Sequence, residues 1–169
     1  MHEMMVTFLQ SNGIPAQAII FIISLLPIFE LRAGLIAAAM LGLDPLESFV
    51  ICYIANILPI PLILIFIKAI FAFMKKHGIF ARLIERLEAS ALKKSVGIMQ
   101  KQYWGLFLFV AIPLPGTGGW TGALIASLLN MPVKKSFFAI AAGVFGAGVI
   151  MLLITYFAPG IFGFEFKNL

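Results

Sequence analysis

Glu30 and Arg32 stand deep inside apolar sequence, in the run Pro27-Ile28-Phe29-Glu30-Leu31-Arg32-Ala33-Gly34. A charged side chain at a bilayer centre costs about 2.5–3.5 kcal/mol. A chain with a purely structural use for this segment gains by losing both, unless they form a mutual ion pair at a turn. On a regular helix the i, i+2 spacing points them to different sides, whereas in a turn both can face one cavity. Burial favours a neutral carboxyl and a nearby guanidinium favours a charged one, so Glu30 is the candidate proton carrier or cation-binding group. Arg32 keeps its charge and presents a bidentate fork, which suits an anionic group.

A second stretch is Pro113-Leu114-Pro115-Gly116-Thr117-Gly118-Gly119-Trp120. Proline and glycine free backbone groups here, and a helix starting near Trp120 offers unpaired N–H donors, a combination able to hold an anion. Thr117 adds a hydroxyl, and Trp120 adds a ring that can stack on a cationic or apolar ligand. The same residues also suit a tight turn that lets two helices meet closely. No lysine follows the glycines, so the stretch is not a P-loop. Asn56, just before Leu58-Pro59, either satisfies carbonyls freed by the prolines or lines a cavity.

Other chemistry is poorly supplied. His2 and His77 have no metal-ligand partners near them in sequence, and no nucleophile–base pattern is present, so neither a metal, a cofactor nor catalysis is expected. The single cysteine, Cys52, lies in an apolar run and reads as a small buried residue.

The elements that must position these residues follow from composition. The 169 residues are 62% hydrophobic and 11% charged, with mean hydropathy +1.09. A soluble domain carries about 25% charged residues, so a water-soluble globule is excluded. Ser48–Ile67, Tyr103–Met131 and Ser136–Phe164 carry no charge over 20, 29 and 29 residues, against the ~20 that a membrane span needs. The net charge of +5 comes from basic residues clustered between the apolar runs, which points to topology rather than to nucleic acid.

Ile14–Phe29 and Ala33–Leu43 reach about 24 and 16 Å as helices, short of a ~30 Å core. Two short pieces broken by charge and glycine predict a re-entrant hairpin. Asp44-Pro45 is a loop, and Leu46–Met74 is a full span kinked at Pro59 and Pro61. Residues 75–101 hold seven Lys and Arg against Glu85 and Glu88, and Phe80, Leu83, Ile84, Leu87, Ala91 and Ile98 share one helical face. This predicts an amphipathic helix on an anionic membrane surface. A shorter interfacial helix is expected over residues 1–10, and an interfacial tail over 159–169.

The second half repeats the first: a short run Tyr103–Pro113, the Pro/Gly break, a short run Trp120–Leu129, a turn at Asn130-Met131-Pro132 and a span Ser136–Phe157. At an offset of 88, Phe21/Phe109, Leu26/Leu114, Pro27/Pro115, Gly34/Gly122, Ala38/Ala126, Leu41/Leu129, Ser48/Ser136, Phe49/Phe137 and Leu64/Leu152 are identical. Nine matches over 44 positions compare with about four from apolar bias alone. The expected fold is thus an all-α membrane protein, one domain over 1–169. It has two inverted repeats, about 14–74 and 103–157, each a re-entrant hairpin plus one transmembrane helix, joined by the 75–101 amphipathic helix. An odd number of crossings per repeat inverts the second. Nine of the twelve basic residues then share one side. The positive-inside rule makes that side, with 75–101, cytoplasmic and both termini extracytoplasmic.

The Glu30-Leu31-Arg32 tip and Ile112–Ala123 resemble the small multidrug export protein family of prokaryotic inner membranes, and more distantly the DedA superfamily. The resemblance implies a membrane transporter. DedA proteins have paired re-entrant hairpins and are thought to flip phosphorylated lipid carriers with proton coupling, and Glu30 and Arg32 match their first-hairpin acidic and basic residues. The expected function is proton-coupled export of small cationic or amphiphilic compounds through a site between the hairpins. A flippase or scramblase of phosphorylated lipids and a non-transporting scaffold are the alternatives. Expected partners are membrane lipids, protons, a small-molecule or lipid substrate and a second copy of the chain.

Overall fold

The structure, a computed structural model, describes residues 13–77, 84–86, 89, 102–114 and 116–157. The expected N-terminal helix, most of the 75–101 segment, Pro115 and the tail lie outside the described residues. Every regular element among the described residues is helical: α1 (Ala16–Leu25), α2 (Glu30–Met40), α3 (Pro45–Ile57), α4 (Ile60–Lys76), α5 (Gln102–Ala111), α6 (Gly119–Leu128) and α7 (Val133–Leu152), which ends in a π-helical turn, Leu153–Phe157. They fall into two compact units, one within Met1–Leu58 and Val144–Leu169, the other within Pro59–Gly143.

In the first unit, α1, α2 and α3 pack against one another. Leu26 ends α1 with extended backbone (φ −76°, ψ 138°), the conformation that a following proline imposes. The chain therefore breaks at Leu26–Phe29, whereas the charges and Gly34 had suggested a break over Glu30–Gly34. Glu30 and Arg32 consequently sit in the first turn of α2 and not in a loop. The chain then turns at residues 41–44 into α3, where Asp44 caps the helix: its carboxylate accepts from the N–H of Leu46 at 3.0 Å and of Glu47 at 2.9 Å, with Pro45 at the first helical position. Gln17 Nε2, near the start of α1, donates to Glu47 Oε1 at 3.4 Å near the start of α3. The start of α3 thus lies beside the start of α1.

Close approach holds this unit together. A Cβ on Gly34 would overlap Ser24 Oγ and lie 2.9 Å from Cys52 Sγ, so α1, α2 and α3 meet at Gly34. Gly148 likewise lets the last helix contact Phe49 and Leu31. Phe145 packs edge-on against Phe49 at 5.4 Å and Tyr53 at 6.0 Å. Tyr156 OH reaches Leu43 O at 3.3 Å and Ser48 Oγ at 3.4 Å.

In the second unit, α6 packs on α4 and α5, around a core that includes Ile60, Leu64, Leu106, Val110, Ile125 and Ile140. Gly122 faces Val110, Leu106 and Ile140. Gly34 and Gly122 are 88 residues apart, and so are their contacts Cys52 and Ile140. The turn after each short helix pair recurs at the same offset. Leu41 N–H to Ala37 O, Gly42 to Ala39, Leu43 to Ala38 and Ser48 to Asp44 reappear as Leu129 to Ile125, Asn130 to Ser127, Met131 to Ala126 and Ser136 to Pro132. Gly42 (φ 67°) and Asn130 (φ 55°) supply the left-handed residue of each turn. A Cβ at Gly42 meets nothing within 4 Å, so Gly42→Ala should cost only the backbone strain, about 1 kcal/mol, read as lower thermal stability in lipid.

Pro45–Ile67 (23 residues) and Val133–Phe157 (25 residues) are long and apolar enough to cross a membrane. The helix pauses at Leu58-Pro59 and resumes at Ile60, where the prolines predict a kink. Leu58, Leu62 and Ile65 are more than half exposed, as are Phe138 and Phe145. Large apolar side chains left outside the core along both helices fit a hydrocarbon solvent.

Candidate functional site

The carboxyl-bearing tip of the first unit is built by the α1–α2 break. Glu30 N–H bonds to Leu26 O at 2.9 Å, and Ala33 N–H bonds to Phe29 O at 3.2 Å, which starts α2 around Glu30. Glu30 takes φ 52°, a left-handed conformation costing an L-residue about 1–2 kcal/mol. It is 8% exposed, between the neighbours Leu31 (2%) and the fully buried Leu35. Arg32 is half-buried and feels the Glu30 charge. Both ionisable groups therefore keep places that a neutral, flexible residue would fill at lower cost.

Helix register adds Asn56. Gly34 on α2 meets Cys52 on α3, and the four-residue turn makes these helices antiparallel. One turn back from Gly34 is Glu30, and one turn on from Cys52 is Asn56, so the two lie at the same level. Asn56 is 1% exposed and its Oδ1 has no hydrogen-bond partner among the described residues. A buried carbonyl oxygen without a donor costs about 1–3 kcal/mol, so this level is poised to receive one.

The Pro/Gly stretch lies in the second unit and is a stapled loop. Thr117 Oγ1 lies 2.8 Å from both Ile112 O and Leu114 O, donating into the loop that it closes, and Thr117 N–H bonds to Leu114 O at 3.2 Å. Gly116 (φ 76°) and Gly118 (φ 156°, ψ −174°) adopt conformations that favour glycine. Gly118 precedes α6 without any side-chain cap, and Gly118 and Gly119 are buried. Pro113 and Trp120 are half-buried at either end of the loop. The Thr117 hydroxyl is thus bonded within the turn. Gly118 is the 88-residue counterpart of Glu30: where the second unit places glycine, the first places an acid.

Two participants escape the sequence reading. Ser24 is fully buried at the Gly34 crossing, and Tyr156 closes the first unit against Ser48. A serine in an apolar run and a tyrosine near a span's end carry no spacing signal, because their partners lie on other helices. Among the described residues no group of three or more His, Cys, Asp or Glu could hold a metal ion.

A family model described as "Putative small multi-drug export protein" matches residues 30–150. No curated protein and no solved structure matches the chain. The match spans most of the sequence, and the chain belongs to this family. Family and apolar helices together make it a membrane protein of the export class.

Proposed function

We propose that this small multi-drug export family protein is a proton-coupled exporter of small cationic or amphiphilic compounds, with Glu30 exchanging the proton or binding the cation. The observation that carries this reading is the placement of Glu30: a buried acid on left-handed backbone at the break of an apolar helix pair, where its counterpart is glycine. Strain and burial both act against that side chain. Intramembrane ionisable groups kept at such a cost mark substrate or ion pathways. Arg32 tunes Glu30 or orients an anionic group, and Asn56 presents an acceptor at the same depth.

The short helices support a re-entrant placement. At 10 and 11 residues, α1 and α2 reach about 15–17 Å, as do α5 and α6 at 10 each, roughly half of a ~30 Å core. The turn duplicated at 88 residues supports two repeats, and one full span in each repeat inverts the second within a multi-pass inner-membrane protein.

Proteoliposomes with an imposed pH gradient and a fluorescent lipophilic cation test the reading. Export must follow the gradient and collapse with a protonophore. Gradient-independent movement, or none across a panel of cationic and amphiphilic compounds, counts against it.

A further inference from the structure

The first turn of α7 is the electrostatic reverse of its counterpart on α3. Position 47 is Glu and position 135, 88 residues on, is Lys; Asp44 caps α3, whereas Pro132 stands in the equivalent place before α7. Acidic groups complement the partial positive charge of a helix start, and cations oppose it. The first turn of α7 has no acidic residue and two exposed lysines, Lys134 and Lys135.

Beside that turn the second unit has a cavity of about 410 Å³ between α5 and α7. Lys135, Phe138, Ala139 and Ala142 line it from α7 at three- and four-residue spacing, so the groove follows that helix for about 10 Å with Lys135 at its N-terminal end. Tyr103, Trp104 and Phe107 line it from α5. Lys135 Nζ stands 5.8 Å from the Tyr103 ring centroid, and Trp104 meets Phe107 edge-on at 5.9 Å. Trp104 and Phe138 are 70% and 61% exposed. Ala139 and Ala142 leave room, and no lining residue is acidic. A cation at the end of an aromatic and aliphatic groove on a membrane helix matches the two halves of an anionic lipid.

We propose that this groove binds an anionic glycerophospholipid, with its phosphate at Lys134 and Lys135 and one acyl chain along α7 against Phe107 and Phe138. The ammonium held over Tyr103 fixes the headgroup, and the same charge repels the cationic compounds proposed for Glu30. The site is therefore separate from the transport reading and stands or falls without it.

Native mass spectrometry of the full-length protein, released from nanodiscs of equal phosphatidylglycerol and phosphatidylcholine, tests this. The expected result is preferential retention of phosphatidylglycerol. That preference should fall about fivefold for each of Lys134→Gln and Lys135→Gln. Ala142→Phe, which fills the groove and leaves both lysines, should also reduce retained phosphatidylglycerol. Equal retention of the two lipids overturns the proposal. So does a preference unchanged in the lysine variants, or one lowered as much by Lys76→Gln, which removes an exposed charge outside the groove.

Discussion

Glu30→Gln should reduce proton-driven export to the rate of protein-free liposomes while leaving the protein folded. The amide keeps the volume and most hydrogen-bonding capacity of the carboxyl, so the crowded tip between Leu26 and Ala33 is preserved. What it loses is the ability to take up and release a proton. Among the described residues no second carboxyl stands at this level to substitute for it. Ser24 and Asn56 do not titrate in the accessible range, and Arg32 stays charged. Glu30→Asp should keep partial activity, because the proton site survives with its reach shortened by a methylene. Arg32→Ala removes the positive charge that interacts with Glu30, so export should fall without being abolished. Full export by Glu30→Gln, measured with the same imposed gradient, removes Glu30 from the mechanism.

The second large effect is on stability. Gly34→Ala places a methyl group on Ser24 Oγ and 2.9 Å from Cys52 Sγ, at the crossing of three helices. Neither atom is the end of a long, flexible chain. α1 and α3 must separate from α2, at about 1–3 kcal/mol for overpacking. The damage should extend beyond stability, since Gly34 lies one turn from Glu30 and sets the α2–α3 register. Adding Ser24→Ala removes the worst overlap, although the Ser24 Cβ at 3.2 Å remains, so the double variant should recover part of the loss. Thermal unfolding in lipid reads both. A Gly34→Ala protein as stable as the parent would mean that the three helices are not packed at this point.

The sequence made much of this legible because the breakers are covalent properties of single residues. Asp44-Pro45 and the Pro/Gly loop mark helix ends wherever they occur, and the 88-residue offset aligns the two halves. Composition showed the membrane character, and burial cost singled out Glu30. The first break falls at Leu26-Pro27 rather than at the charges, because a proline forces the residue before it out of helical geometry whatever follows. The left-handed backbone of Glu30 had no signal at all, since that conformation is usual for glycine or asparagine and the residue there is neither. Asn56 was visible as a polar residue in a span, but its level with Glu30 depends on the Gly34–Cys52 contact between two helices. Thr117 Oγ1 donates to carbonyls three and five residues back, a local bond that spacing alone does not reveal.

Sidedness of the first helix pair tests the central claim, that α1 and α2 enter the membrane and leave by the same face with Glu30 sheltered at the bend. With Cys52→Ala as background, single cysteines replace Gln17 at the start of α1 and Leu46 at the start of α3, and a membrane-impermeant maleimide is applied from each side of sealed vesicles. The account predicts that both positions label from one and the same side, as their proximity in the first unit requires. Labelling of Gln17→Cys from one side and Leu46→Cys from the other would mean that the pair crosses the bilayer, and would contradict the account.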